Sequence, residues 1–257
     1  MRLLRVQFKD ARHNLAFEEA MCLASGGPTL RLWRNPPTAV IGYAQFARAE
    51  VNLETCMQYG VQVVRRHTGG GAVYHDYGNL NYSVVVPRSS GIVKGKLSSV
   101  YRRLLAPVLL ALEELGVAAD IRDTNSVFVG GTKVGGSSAH LGETAFFFHG
   151  TLLLNADLTM LWRVLTPLKE YECPAGSVAS RRVPVTNLSE VIGCPLNVPR
   201  LEALVVRGFE KVLCSHAIPT EPSREEMELE MNLFDTKYSR DWWNLEGRMG
   251  RDVRGQM

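Results

Sequence analysis

Apolar positions along the chain follow two periods. Residues 29–33 and 39–41 read as strands parted by the turn pair Pro36-Pro37. Residues 61–65 form a third, running into three consecutive glycines. In residues 80–86, Leu80, Tyr82, Val84 and Val86 alternate onto one face. Shorter strands are predicted at 127–129 and 132–134, and a longer one at 146–154. The helical period appears at 14–24, with an acidic first half, and at 50–59, stopped by Gly60. It is clearest at 99–115, where Val100, Leu104, Leu105, Val108, Leu109, Leu112 and Leu115 make one stripe ended by Gly116. Pro107 sits inside that stripe. An interior proline costs about 3 kcal/mol, so a bend or a start near Ala106 is expected. Leu201, Leu204, Val205, Phe209, Val212 and Leu213 form a second stripe, capped by Asn197 with Pro199 in its first turn. Residues 222–234 read as an acidic helix. The order lacks strict strand–helix alternation, which predicts an α+β fold with mixed β-sheets flanked by helices.

Composition narrows the class. The chain has 257 residues, 46% hydrophobic and 21% charged, enough to bury a core without staples. A net charge of +3 with no basic stripe argues against nucleic acid. No apolar run has the length of a membrane span, and the N-terminus lacks the apolar core of a signal peptide. Five dispersed cysteines with no CxxC pair read as reduced thiols, so a cytoplasmic protein is expected.

Candidate chemistry concentrates in two segments. In the first, Arg65-Arg66-His67-Thr68-Gly69-Gly70-Gly71 leads into Val73-Tyr74-His75-Asp76 and Asn79. Glycines without Cβ atoms let backbone N–H groups converge on phosphate or carboxylate oxygens, with Arg65 and Arg66 as added donors. A glycine-rich hairpin explains the same residues equally well. The segment is neither a Walker A loop nor GxGxxG. In the second, Lys133 lies between Gly130-Gly131 and Gly135-Gly136, followed by Ser137-Ser138-Ala139-His140. A lysine ammonium suits a phosphate or a developing oxyanion, although most lysines are simply solvated. The histidines fit no zinc pattern, and His67 and His140 read as satisfied core or turn residues. Ser137 lacks the GxSxG elbow. The tryptophans read as packing anchors. Phe146-Phe147-Phe148 reads as a buried strand, with the wall of an acyl pocket as the sharper possibility.

Residues 65–83 resemble the lipoate–protein ligase signature RRxxGGGxVxHDxGNxNxS. Residues 14–20, 30–35, 40–45, 133–139, 148–158 and 183–188 are similar to further stretches of that family. The resemblance spans nearly the whole chain. It implies a biotin/lipoate ligase-like catalytic domain over residues 1–245, with a flexible basic tail at 246–257. It also implies an enzyme that uses ATP and Mg²⁺ to convert lipoate to lipoyl-AMP. The lipoyl group then passes to one lysine of a carrier, a lipoyl domain or an H-protein-like acceptor. By carry-over, Lys133 is the catalytic residue. Arg65, Arg66, Gly69, Gly70, Gly71, Val73, Tyr74, His75, Asn79, Asn125, Gly136, Ser137, Ala139 and His149 form the binding surface. An apolar tunnel is expected for the acyl chain.

Two departures stand out. The family's longer ligases carry a C-terminal accessory domain, whereas here the sequence after residues 235–239 is a short tail, so a separate accessory chain or independent action is expected. Many members have Asn-Asp before the lysine loop, whereas here the pair is Asn125-Ser126. That leaves the Mg²⁺ ligands unassigned, with Asp123 nearby. An octanoyl or lipoyl transferase working without ATP is the alternative. Such relatives use a cysteine near the segment before the lysine loop, and residues 123–130 contain none.

Overall fold

The computed structural model describes residues 1–24, 27–167, 172 and 176–247. Its strands are β1 (Arg2–Leu4), β2 (Thr29–Trp33), β3 (Thr38–Ile41), β4 (Gln62–Arg65), β5 (Val73–His75), β6 (Asn79–Pro87), β7 (Ala119–Arg122), β8 (Ser126–Val129), β9 (Thr132–Leu141), β10 (Ala145–Leu153) and β11 (Ile218–Pro219). Its helices are α1 (Ala11–Leu23), α2 (Ala47–Glu50), α3 (Leu53–Tyr59), α4 (Leu97–Glu113), α5 (Leu158–Val164), α6 (Leu188–Ile192), α7 (Val198–Leu213) and α8 (Arg224–Leu233). Two π-helical turns follow, Phe234–Tyr238 and Trp242–Glu246.

Among the described residues the strands make two sheets. The large one runs β11-β1-β2-β6-β10-β9-β8-β7, and the small one β4-β3-β5. Both are mixed: β1 runs parallel to β2 and β11, and β3 parallel to β4, while the other pairings are antiparallel. The α+β architecture is the one the pattern predicts.

Both faces of the large sheet are covered, which is why β6 is buried almost throughout. On one face, Tyr82, Val84, Val86 and Phe148 pack with Leu104, Val108 and Leu112 of α4 and with Val205 and Phe209 of α7. On the other, Val85 and Phe147 meet Phe17 and Met21 of α1. Burying one such side chain contributes about 1.5–3 kcal/mol. The small sheet packs Ala39, Ile41 and Tyr74 against Leu161 and Val164 of α5. Its opposite face sets Val40 and Val64 against Ala11, Leu15 and Trp33. The two sheets therefore face each other across the α1 side of the molecule.

Several elements depart from expectation for local reasons. α1 begins three residues earlier than its apolar pattern, because the Asp10 side chain caps Arg12 N. The helix expected at 50–59 is broken at Val51, which pairs in a β-bridge with Leu165; Asn52 then caps α3. α4 runs continuously through Pro107, which is buried in contact with Gly208 of α7. Tertiary burial there outweighs the local proline penalty. The glycine-flanked lysine segment is part of the ten-residue strand β9 rather than a loop. The strands β1, β5 and β11, two or three residues each, are too short to show a period. The basic stretch from Arg248 lies outside the described residues.

Candidate active site

A cavity of about 300 Å³ opens between the sheets, lined by residues of α1, the glycine segment, β9, β10 and the segment 179–183. Beside it a smaller recess of about 110 Å³ is lined by Tyr74, Leu161, Trp162, Arg181 and Val185, among others. Lys133 borders both.

The aim of Lys133 follows from strand irregularity. The β8–β9 register shifts between Val127 and Phe128, so that Phe128 faces Lys133 and Val127 faces Gly135. The bulge leaves Val134 in the core and turns Lys133 the other way. The lysine then lies across Gly136, where a Cβ would sit 3.2 Å from both Cε and Nζ. Lys133 N donates to Pro184 O, and Thr186 N donates to Lys133 O, which fastens the segment after residue 183 beside it. Burial lowers the Lys133 pKa from its ordinary value, and Arg66 lowers it further. Asp123 opposes them. Asp123 and Asn125 reach the cavity from the β7–β8 turn, where Asp123 (φ 49°) and Thr124 (φ 71°) hold left-handed backbone. That conformation is costly for a β-branched residue and recurs at functional turns.

The glycine segment is held from below by Arg66. Its Nη2 donates to Gly69 O at 2.6 Å and to Gly71 O at 2.8 Å, and its Nε donates to Thr68 Oγ1. These bonds turn the loop carbonyls inward. Ser138 Oγ adds a second donor to Gly69 O. Gly70 needs its lack of a side chain: φ is +88°, and a Cβ would stand 3.1 Å from Arg66 Nη2.

At the inner wall a polar chain crosses from sheet to helix. Trp33 Nε1 donates to Ser83 Oγ, and Ser83 Oγ donates to Glu18 Oε1 at 2.6 Å. Glu18 also accepts from His149 Nδ1 at 3.0 Å, while His149 Nε2 meets Thr68 Oγ1 at 2.8 Å. A carboxylate only accepts, so His149 Nδ1 carries a proton toward Glu18. Burial pushes the Glu18 pKa upward. The charge and hydrogen bond of His149, with Ser83 and Arg31, outweigh that and bring it to about 2. His75, buried at the same wall, has its pKa lowered to about 3 by desolvation.

The expected site residues divide by position. Lys133, Arg66, Gly70, Gly71, Val73, His75, Asn125, Gly136, Ser137 and His149 line the main cavity, and Tyr74 lines the recess. Gly69, Asn79, Ala139 and Arg65 line neither. Gly69 is tied down through its carbonyl. Asn79 donates to Thr151 Oγ1 and Tyr74 O. Ala139 lies on β9, paired with Phe148. Arg65, expected to face the ligand, is fully buried and donates to the carbonyls of Gly42, Gln45 and Trp243. Its guanidinium holds the chain together rather than meeting solvent.

Phe146, Phe147 and Phe148 form the buried strand expected of them; they pack in the cores and line neither pocket, so they are not the wall of an acyl site. His67 is buried as expected, but neither ring nitrogen has a hydrogen-bond partner among the described residues. Cys22 and Cys56 are buried, and burial raises both thiols to about 11; Cys194 and Cys214 are exposed, and none of the four lines a pocket. Cys173 lies outside the described residues. Sequence reasoning gave no role to Glu18, Asn81, Ser180 or Arg181. Glu18 and Asn81 lie inside recognised motifs, but nothing in the pattern shows which way they face.

Among the described residues no group of three His, Cys, Asp or Glu is placed to hold a metal ion. No described helix is long and apolar enough to cross a membrane.

The family description lipoyl protein ligase A/B catalytic domain matches residues 10–210. The chain is 31% identical to lipoate-protein ligase A subunit 1 of Thermoplasma acidophilum, covering 95% of each. It is 30% identical to the octanoyltransferase LipM of Symbiobacterium thermophilum, covering 95% of this chain and 97% of that one. Among solved structures, a bipartite lipoate protein ligase from Thermoplasma acidophilum, studied with its E2 lipoyl domain, aligns with a TM-score of 0.83 at 29% identity over 95% of each chain. A lipoate-protein ligase A bound with ATP aligns with a TM-score of 0.82 at 29% identity, over 95% of this chain and 98% of that one. With the mixed sheets, the glycine segment and Lys133 brought to one cavity, these matches establish that the chain belongs to the lipoyl protein ligase A/B catalytic domain family.

Proposed function

We propose that this chain is a lipoate–protein ligase that activates lipoate with ATP and passes the lipoyl group to a lysine of a lipoyl-domain carrier. The observation that carries the reading is the placement of the Lys133 ammonium at the junction of two pockets, a larger one of mixed lining and a smaller, more apolar one. An acyl adenylate has this division: an acyl chain, a charged phosphate at the join, and a nucleoside. In the first step a carboxylate oxygen of lipoate attacks the α-phosphorus of ATP, and pyrophosphate leaves. Lys133 offsets the repulsion between the approaching anions and stabilises the charge that develops. The Arg66-braced glycine segment turns its carbonyls away and lets the backbone lie against the phosphate. In the second step the carrier amine attacks the acyl carbonyl and AMP leaves, with Lys133 facing the carbonyl oxygen. The recess lined by Tyr74, Leu161 and Trp162 suits the adenosine.

Mg²⁺, when bound with ATP, neutralises phosphate charge. Asp123 is the residue suited to hold it, since Mg²⁺ is commonly bound by one carboxylate together with substrate phosphates. ATP in a 29%-identical relative supports the nucleotide assignment. The bipartite ligase studied with an E2 lipoyl domain supports a lipoyl-domain acceptor and a separate accessory chain.

One observation keeps a second reading in play. The octanoyltransferase relative matches nearly end to end. A transferase would load a cysteine thiol and need no ATP; the four described cysteines line neither pocket, and Cys173, outside the described residues, is the one to substitute. Pyrophosphate release on adding lipoate and ATP decides between them. With the accessory chain supplied, we expect release in the wild type and in Cys173→Ser alike. No release, together with acyl transfer abolished in Cys173→Ser, would make the chain a transferase.

A further inference from the structure

The inner part of the cavity contains a polar side chain that the fold leaves unsatisfied. Asn81 is 2% exposed and lines the cavity, and neither Oδ1 nor Nδ2 has a hydrogen-bond partner among the described residues. Its strand neighbours on the same face are satisfied. Asn79 bonds to Thr151 and Tyr74, and Ser83 bonds to Glu18 and Trp33. Buried amides are ordinarily paired, so an unpaired one facing a cavity calls for a partner from the ligand. The cavity it faces has apolar side chains in its wall, Leu15, Trp33, Val40 and Val73, beside the polar Glu18, His75 and Thr151, none of which bonds to it.

Position along the cavity identifies which part of the ligand it meets. Asn81 is in register with Thr151, and Thr151 with Gly136, across which Lys133 lies. Two strand spacings, about 10 Å, therefore separate Asn81 from the reacting end. An extended octanoyl chain has that reach.

We propose that Asn81 is a specificity-determining residue that selects an acyl chain bearing heteroatoms at its far end, the dithiolane ring of lipoate, over the plain alkyl end of octanoate. This rests on the ligase reading above. A dithiolane sulfur is a weak acceptor for Nδ2–H. A saturated chain would seal the amide in with no partner, and sites built on a polar group discriminate against ligands that leave it unpaired.

The test is calorimetric binding of lipoate and of octanoate to the full chain and to the matched variants Asn81→Thr and Asn81→Val. These differ chiefly by a hydroxyl for a methyl, and both suit a strand. Wild type should favour lipoate by about tenfold. Asn81→Thr should keep most of that preference, and Asn81→Val should bring the two acids within about twofold, with octanoate binding improved. Removing the orphaned amide should also leave ligand-free Asn81→Val at least as heat-stable as wild type. The same preference in the threonine and valine variants, or none in wild type, would overturn the assignment. Selective lipoate binding without pyrophosphate release when the accessory chain is supplied would support Asn81 while sinking the ligase reading. Failure to bind either acid would overturn both.

Discussion

Lys133 sits where burial and two charges compete. Burial and the Arg66 guanidinium favour its neutral form, and Asp123 favours the ammonium. If the ammonium is what stabilises the transition state, Lys133→Ala should slow single-turnover lipoyl-AMP formation by about 10²–10³-fold, with a smaller loss in lipoate binding. Lys133→Arg should not restore the rate, because a planar fork cannot take the place of a compact ammonium resting on Gly136. The pH profile carries the second half of this prediction. A folded-state pKa below the ordinary 10.5 means the ammonium is lost at lower pH than in a solvated lysine. The alkaline limb of the rate should therefore lie below that value. Asp123→Asn, which removes the opposing charge, should move it lower still, whatever it does to the maximal rate. A limb that stays in place in Asp123→Asn would separate the two residues.

At the scale of elements, the glycine segment is a braced arch rather than a loose turn. Gly70→Val would force a branched residue into a left-handed conformation with its Cβ against Arg66 Nη2. The arch lies at the surface of the small sheet and outside the cores, so the protein should still fold. Its affinity for a non-hydrolysable lipoyl-AMP analogue should fall at least tenfold by calorimetry, and unchanged affinity would return the segment to a purely structural turn. This arch was legible in the sequence as three glycines after a basic strand. Its brace was not. Two adjacent arginines look alike in sequence, yet Arg66 holds the arch and Arg65 is spent on the carbonyls of Gly42, Gln45 and the distant Trp243. The long amphipathic helices could be read because one face of each meets a core. β9 could be read only at residues 132–134, because glycine pairs that signal turns in isolation serve here for close approach, of the lysine to Gly136 and of Thr151 O to Gly135. Glu18 and Asn81 escaped for a related reason: sequence shows that a residue is polar, and only the assembled sheets show that it is enclosed.

At the scale of the whole molecule, Glu18 joins α1 to the large sheet through Ser83 and His149, and through His149 to Thr68 beside the small sheet. Its pKa is held at about 2, below the ordinary 4.5. A carboxylate depressed in the folded state adds stability that is fully present above about pH 4.5 and is lost as pH falls toward 2. Urea midpoints should therefore drop through that window in wild type. Glu18→Gln should be less stable at neutral pH and flatter through it. An equally steep acid limb in the variant would assign the loss to other carboxylates. The Arg65 clasp has a further consequence, one of timing. Its carbonyl partner Trp243 follows it by 178 residues, which at about 5–20 residues per second is roughly 9–36 s of ribosomal synthesis. Through that interval the guanidinium has only early carbonyls to meet, among them those of Gly42 and Gln45. The strand leading into the glycine arch therefore gains its last clasp only when the second π-helical turn folds back onto it.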